Sequence, residues 1–395
     1  MGRPILITGG RGYIGAVLVG KILAAGREAF VLSRSVDGLP KGARHLEWRL
    51  GEPLPQAARG AEALIHLAHD WSETGALEAA RTLRDSARSI GVDRTVFASS
   101  VSARQDALNA YGQGKWAAEQ LFDGPGEVSV RIGLVYGGPR RAMYGLLCKL
   151  VSLPVLPMIA PGQGVQPVHV GEVADGLLAA ADRGLSGVVG LAAAEPVAFR
   201  DFLKALALNS RGRRLLVLPI PTGPMLLLAA AVSWTPLAKL LSRERILGLA
   251  GTRPLPTGED LGRLGLQLAP FAGALAAEPM ARKRRLAEGR AFLRYILVAE
   301  PGPALIRRYA RAVGPAAPLP LGGAVLRSPA LLRLIEPLGA ASELSRRLRI
   351  ASALAEASPI GERRLARTGL IGLGLHLILE GLAMPFRLLA TAAAR

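Results

Sequence analysis

In the stretch AYGQGKWAAEQ, residues 110–120, Tyr111 stands four residues before Lys115. On a helix that spacing puts both side chains on one face. A phenol is a poor acid or base at its ordinary pKa of about 10. A neighbouring ammonium favours phenolate and lowers that value, which would make the pair a proton-transfer device. With six tyrosines and seven lysines in the chain, the spacing alone is weak evidence. Composition strengthens it, because only seven of the 49 basic residues are lysines. A surface charge here is ordinarily an arginine, and guanidinium does not replace a compact ammonium that must reach both ribose hydroxyls and a phenol. A hydroxyl at the end of a preceding strand would complete the set. The run RTVFASS ends on Ser100, 11 residues before Tyr111, where it can hydrogen-bond a substrate oxygen; Ser99 and Ser102 compete for that role.

These residues need a frame. Residues 4–8, PILIT, form an apolar run that enters TGGRGYIG, Thr8 to Gly15. An amphipathic helix, a Gly26 stop and a second apolar run, AFVL, follow, which together make a βαβ unit. Gly9, Gly12 and Gly15 at three-residue spacing suit a tight turn whose backbone must approach a pyrophosphate. The free N–H groups of the helix N-terminus, from Arg11 through Tyr13 and Ile14, would receive that anion. The alternation continues with ALIHLAH (63–69), a helix from about Glu73 to Ile90, RTVFASS (94–100), a helix from Tyr111 to Phe122 and VSVRIGLVYG (128–137) as one strand. Strands alternating with helices predict a parallel sheet covered on both faces.

The second strand selects the dinucleotide. A site for NAD ends this strand on an acid that accepts from the ribose 2′-OH, whereas an NADP site uses arginine. Here it ends FVLSRS, with Ser33 and Arg34 and no acid before Asp37, and Arg11 is within reach of a 2′-phosphate. NADP is therefore expected ahead of NAD. The pattern calls for no metal ion.

The net charge is +19, of which +12 falls in residues 280–395. That region reads as short helices punctuated by Pro and Gly, and its charge suits an anionic partner, a membrane surface foremost. Nucleic acid ranks last, because neither an aromatic platform nor a reading helix is present. The apolar run at 215–241 is broken by prolines, which disfavours a membrane span. The final run, 368–394, reads first as a packed helix, second as an interfacial helix and last as a span, because His376, Glu380, Pro385 and Arg387 interrupt it. One cysteine, Cys148, excludes an internal disulfide framework and fits a reducing compartment. The N-terminus lacks a signal-peptide pattern, so a cytoplasmic protein is expected, with peripheral attachment to the inner face of the membrane as the variant.

The motifs TGGRGYIG, LIHLAH, VFASS, YGQGK, VRIGLVYGG and QPVHVGEVADGLLAA occur in one order over residues 1–280. Together they resemble the extended branch of the short-chain dehydrogenase/reductase superfamily, with its epimerases, dehydratases and reductases. The resemblance implies an α/β fold: a Rossmann doubly wound parallel sheet with a smaller substrate lobe, mainly from about residue 140 onward, and here an all-helical extension at 281–395. It implies a catalytic set of Ser100, Tyr111 and Lys115, with Lys115, Leu67 and Ala68 also lining the cofactor. There are departures. The interval from Ser100 to Tyr111 is short for the family, and the acid usual after the third strand is missing, Glu52 being the nearest. Where family members that take nucleotide sugars carry an Arg–Asp pair, this chain has Val165 and Gln166, which points away from a nucleotide-sugar substrate. The QPVHVGEVA form is closer to an atypical subgroup that includes an accessory subunit of respiratory complex I. The reading is an NADP-dependent oxidoreductase acting on a carbonyl or alcohol, or a redox-neutral epimerase or dehydratase. The alternative is a non-catalytic NADPH-binding structural or assembly protein at a membrane.

Overall fold

The computed structural model describes residues 3–69, 75–159, 161–221, 223–224, 247–248, 251–321, 323–328, 331–332 and 343–358. Most of the apolar run at 215–241 and all of the final run at 368–394 lie outside the described residues. The chain divides into two compact units, one of residues 1–203 with 216–271 and one of residues 204–215 with 272–395.

The first unit begins β1 (Ile5–Thr8), α1 (Tyr13–Ala24), β2 (Ala29–Ser33), β3 (Arg44–Glu47), β4 (Ala63–His66), α2 (Gly75–Ser89), β5 (Thr95–Ser100), α3 (Ala110–Glu119) and β6 (Glu127–Ile132). It continues with β7 (Leu134–Tyr136), α4 (Ala142–Leu150), β8 (Val155–Met158), β9 (Gly164–Val165), β10 (Pro167–His169), α5 (Val170–Asp182) and β11 (Gly187–Leu191). Then come β12 (Val197–Ala198), α6 (Phe199–Arg211), which runs on past residue 203, β13 (Leu216–Pro219) and α7 (Gly258–Leu264). Seven strands form one parallel sheet in the order β11-β6-β5-β4-β1-β2-β3. Alternation sends Ile5 and Ile7 to the face covered by α1 and α5, with Leu18, Ile22, Val173 and Leu177. Leu6 and Leu64 go to the other face, with Leu83 and Ile90 of the α2 region. Two apolar faces covered by helices are what a buried parallel sheet requires.

The chain leaves β1 for β2 on one side and reaches β4 on the other, so a crevice opens at the strands' C-terminal ends between β1 and β4. Register aligns Thr8 with His66, and His66 with Phe97. β5 then runs three residues further, carrying Ser100 past that edge. The strand expected over 128–137 is two strands. At Gly133 a Cβ would lie 2.2 Å from the Gln166 carbonyl oxygen, and beyond it Leu134 pairs with Pro167 of β10 instead of extending the main sheet.

The second unit is helical among its described residues: α8 (Phe271–Ala277, its first residue in the other unit), α9 (Pro279–Leu297), α10 (Pro303–Val313), α11 (Gly323–Arg327) and α12 (Glu343–Glu356). Phe292, Leu293, Tyr309, Leu348 and Ala351 fill its core. Among the described residues no helix is long and apolar enough to cross a membrane.

Candidate active site

The turn after β1 is shaped for close backbone approach. Gly9 has φ +70°, and a Cβ on it would lie 2.9 Å from the Ala68 nitrogen. A Cβ on Gly15 would lie 2.2 Å from the Gly9 carbonyl oxygen, so α1 can enter against the strand only with glycine there. Gly12 is the N-cap of α1 and no side chain caps that end. The N-terminus of α1 carries the positive end of the helix dipole, and the turn fits a pyrophosphate. Thr8 ties the turn to β4: its hydroxyl accepts from Leu67 N and Ala68 N at 3.1 Å each and lies 2.7 Å from His66 Nδ1. With both lone pairs taken, the hydroxyl donates to Nδ1, which leaves the His66 proton on Nε2. Burial first, and the Lys115 charge second, push the His66 pKa down to about 3, so the imidazole is neutral.

Not every residue of the turn presents its side chain to a cofactor. Tyr13 donates its hydroxyl to the Gly137 carbonyl at 2.6 Å and stacks on Tyr144; its backbone stands at the start of α1. Ile14 packs against the core. Arg11 reaches the Ser35 carbonyl at 3.5 Å and so lies beside the end of β2, where Arg34 is exposed. Ser33 donates to the Ser35 carbonyl at 2.8 Å, and the nearby Asp37 carboxylate accepts from Ser35 Oγ at 2.7 Å. Glu52 closes its own turn, its carboxylate accepting from Arg49 N at 3.3 Å.

Ser100 and Tyr111 meet: their side chains are hydrogen-bonded. The short interval between them is spanned by a tight connection. Ser102 N donates to Ser100 Oγ at 3.1 Å, Ala103 N to the Ser100 carbonyl at 2.8 Å, and Asn109 caps α3 by accepting from Gly112 N. Gly112 makes room, since a Cβ there would lie 2.5 Å from the Ser102 carbonyl oxygen. Ser99 faces away and donates to Glu119. The His69 ring stands edge-on to Tyr111 at 5.4 Å.

Lys115 departs from expectation. Its ammonium donates to the Ala98 carbonyl at 2.7 Å and lies 4.6 Å from the centre of the Phe97 ring. Burial pushes its pKa down to about 8, with the Glu119 carboxylate pulling the other way. The Tyr111 pKa is accordingly raised, not lowered: burial dominates, and only the bond to Ser100 opposes it. Lys115, His66, His69, Phe97 and Leu50 border a small cavity. Two members of this assembly escaped the sequence reading. His66 was visible only as part of LIHLAH. Glu119 sits eight residues after Tyr111 on the same helix face; it is buried, accepts a bidentate pair from Arg131 and holds Ser99.

Gln166 is structural. Its amide donates to the Ala193 and Leu255 carbonyls at 2.8 and 2.7 Å, and its oxygen accepts from Leu255 N at 2.8 Å.

A doubly wound parallel sheet with a tight glycine turn at its switch point defines a Rossmann-type fold. Residues 5–120 match the NAD dependent epimerase/dehydratase family. No curated protein matches the chain. Among solved structures it is similar to MoeE5 in complex with UDP-glucose and NAD, at 20% identity over 71% of this chain and 99% of that one, with a TM-score of 0.52. It is similar to UDP-glucose 4-epimerase from Thermotoga maritima with UDP-glucose, at 17% identity over 71% of this chain and 99% of that one, with a TM-score of 0.55. A nucleoside-diphosphate-sugar epimerase from Staphylococcus aureus gives 14% identity over 69% and 99%, with a TM-score of 0.56. These neighbours overturn the expectation, drawn from Val165 and Gln166, of a substrate other than a nucleotide sugar. Two positions of changed type do not define a ligand class, and the Gln166 side chain is spent on backbone groups.

Proposed function

We propose that this chain is an NAD(P)-dependent enzyme of the epimerase/dehydratase type, acting at a sugar hydroxyl of a nucleotide sugar. The observation that carries this reading is the Ser100–Tyr111 hydrogen bond at the C-terminal edge of the sheet, on the helix that also carries Lys115. The nucleotide-sugar part is supported by the UDP-sugars bound in structures of the same fold. When bound, the nicotinamide supplies a hydride acceptor and donor, so that a substrate carbon can be oxidised and then reduced or eliminated upon. Tyr111 takes the proton from the substrate hydroxyl as that carbon is oxidised and returns it on reduction. Ser100 holds the substrate oxygen against Tyr111. Lys115, on the same helix, donates to ribose hydroxyls. Tight cofactor binding without conversion of any member of a UDP-hexose panel would favour the non-catalytic reading instead.

Two results follow for the cofactor. The turn Thr8–Gly15 holds the pyrophosphate, and Leu67 and Ala68 lie beneath it. With Asp37 engaged by Ser35 and no acid ending β2, Arg11 and Arg34 favour a 2′-phosphate and hence NADP. Arg34→Ala should weaken NADP binding by about tenfold and leave NAD binding unchanged, read by fluorescence titration. Equal losses for both would refute the preference. Lys115 loses its proton as pH rises through about 8. If the charged form holds the ribose, cofactor affinity of the free protein declines over that window, and Lys115→Met is weaker and flat with pH. A wild-type affinity that is constant from pH 7 to pH 9 would contradict that role.

A further inference from the structure

Arg104 lies in the connection between Ser100 and Tyr111, the one place where the chain passes directly from one proposed site residue to the other. Its side chain is mostly enclosed, and one terminal nitrogen, Nη2, donates to the Gly251 carbonyl. Nε and Nη1 are both shut off from solvent and have no hydrogen-bond partner. A guanidinium carries five N–H donors and no acceptor, and buried polar groups in native proteins are nearly always paired. Two orphaned nitrogens on one permanently charged group therefore ask for an acceptor that belongs to a ligand.

The surroundings give that acceptor a sign. Among the described residues the nearest carboxylate, Asp106, has an oxygen 3.7 Å from Arg104 Nε, beyond hydrogen-bonding range. Its other oxygen is paired with Arg253 Nη1 at 3.0 Å. One exposed carboxylate thus serves two arginines, and the cluster keeps a net positive charge. Its place is equally specific. Ala103 N bonds the Ser100 carbonyl, so Arg104 follows at once on the turn that holds Ser100, at the C-terminal edge of β5. Ligands of open α/β sheets sit outside that edge.

We propose that Arg104 binds the phosphoryl anion of the substrate. This rests on the nucleotide-sugar reading above, in which the anion is the nucleotide diphosphate. Arg104 takes over the grip that Gln166 cannot provide, because the Gln166 amide is consumed by Ala193 and Leu255. The planar fork suits a phosphate, which a lysine contacts only as a point charge.

The test uses the full chain with NADP at saturation, so that the glycine turn is occupied, and titrates UDP and inorganic pyrophosphate by calorimetry. Arg104→Gln should weaken both by at least about tenfold, and Arg104→Lys should restore part of the loss, with NADP affinity unchanged throughout. Unaltered UDP and pyrophosphate binding in Arg104→Gln would overturn the proposal, and so would an equal fall in NADP affinity, which marks a merely structural residue. If the wild type binds pyrophosphate through Arg104 but not UDP, the anion site stands and the nucleotide-sugar reading falls. If it binds neither, the site itself is refuted. Should Arg104→Gln fail to fold, Arg104→Lys carries the test alone: weaker UDP binding with intact NADP binding supports the proposal, and equal UDP binding overturns it.

Discussion

Tyr111→Phe is expected to cut turnover by about 10²–10⁴-fold, the range for loss of a positioned acid–base group, while leaving cofactor affinity unchanged. The substitution removes one oxygen and keeps the ring, so the edge-on contact with His69 survives. Burial already holds the phenol proton tightly, and the hydrogen bond with Ser100 alone opposes it. Proton transfer therefore depends on charge brought to the site, and the wild-type rate should rise with pH as Tyr111 becomes easier to ionise in the complex. Steady-state rates over a pH series, with cofactor titration in parallel, check both points. A Tyr111→Phe protein within about threefold of wild type would remove Tyr111 from the chemistry.

The second large effect concerns stability of the helical unit. Arg347, on α12, is 1% exposed. It donates to Glu288 of α9 at 2.6 Å, to Glu343 at 2.8 Å and to the Ala317 carbonyl. Glu288 also accepts from the Tyr309 hydroxyl of α10 at 2.7 Å and from Leu319 N at 2.9 Å. Three helices are therefore joined through one buried carboxylate. Arg347→Met should cost about 3–5 kcal/mol, because it leaves Glu288 charged and enclosed without its cation. Adding Glu288→Gln should recover part of that loss. Acid acts on the neighbouring pair. Arg346 first, and Arg347 after it, hold the Glu343 carboxyl down to about 2 against the opposing effect of burial. A depressed folded pKa gives stability that is complete above the ordinary value of about 4.5 and is lost as pH falls toward 2. Denaturant unfolding at neutral and acid pH measures both terms. A change below about 1 kcal/mol for Arg347→Met would show that the network is dispensable.

What could be read from the residues alone was whatever depends on local spacing. The glycine turn, its strand and its helix declare themselves because a turn this tight admits no Cβ at Gly9 or Gly15. Ser100 and Tyr111 were legible as a strand end and a helix start. That their hydroxyls meet across so short an interval depends on Gly112 and Asn109, whose roles are tertiary. The break at Gly133 was hidden because IGLVYG is a continuous run without charge, and the obstacle, the Gln166 carbonyl, lies outside that run. The turn of Lys115 toward Ala98 was equally hidden. Helical spacing places its Cα beside Tyr111 but says nothing of a carbonyl and an aromatic ring waiting on β5. Inferring substrate class from Val165 and Gln166 failed for the same reason, since the amide's partners sit far away in sequence.

The most direct measurement is a single-turnover experiment on the full chain loaded with oxidised cofactor. A UDP-hexose panel is added, with the fluorescence of reduced nicotinamide followed in time and the sugar products identified by NMR. A transient rise in fluorescence is expected with at least one nucleotide sugar, together with conversion of that sugar, and neither is expected in Tyr111→Phe. Bound cofactor with no reduction and no conversion across the panel, or a rise of equal size and rate in Tyr111→Phe, would contradict the proposed function.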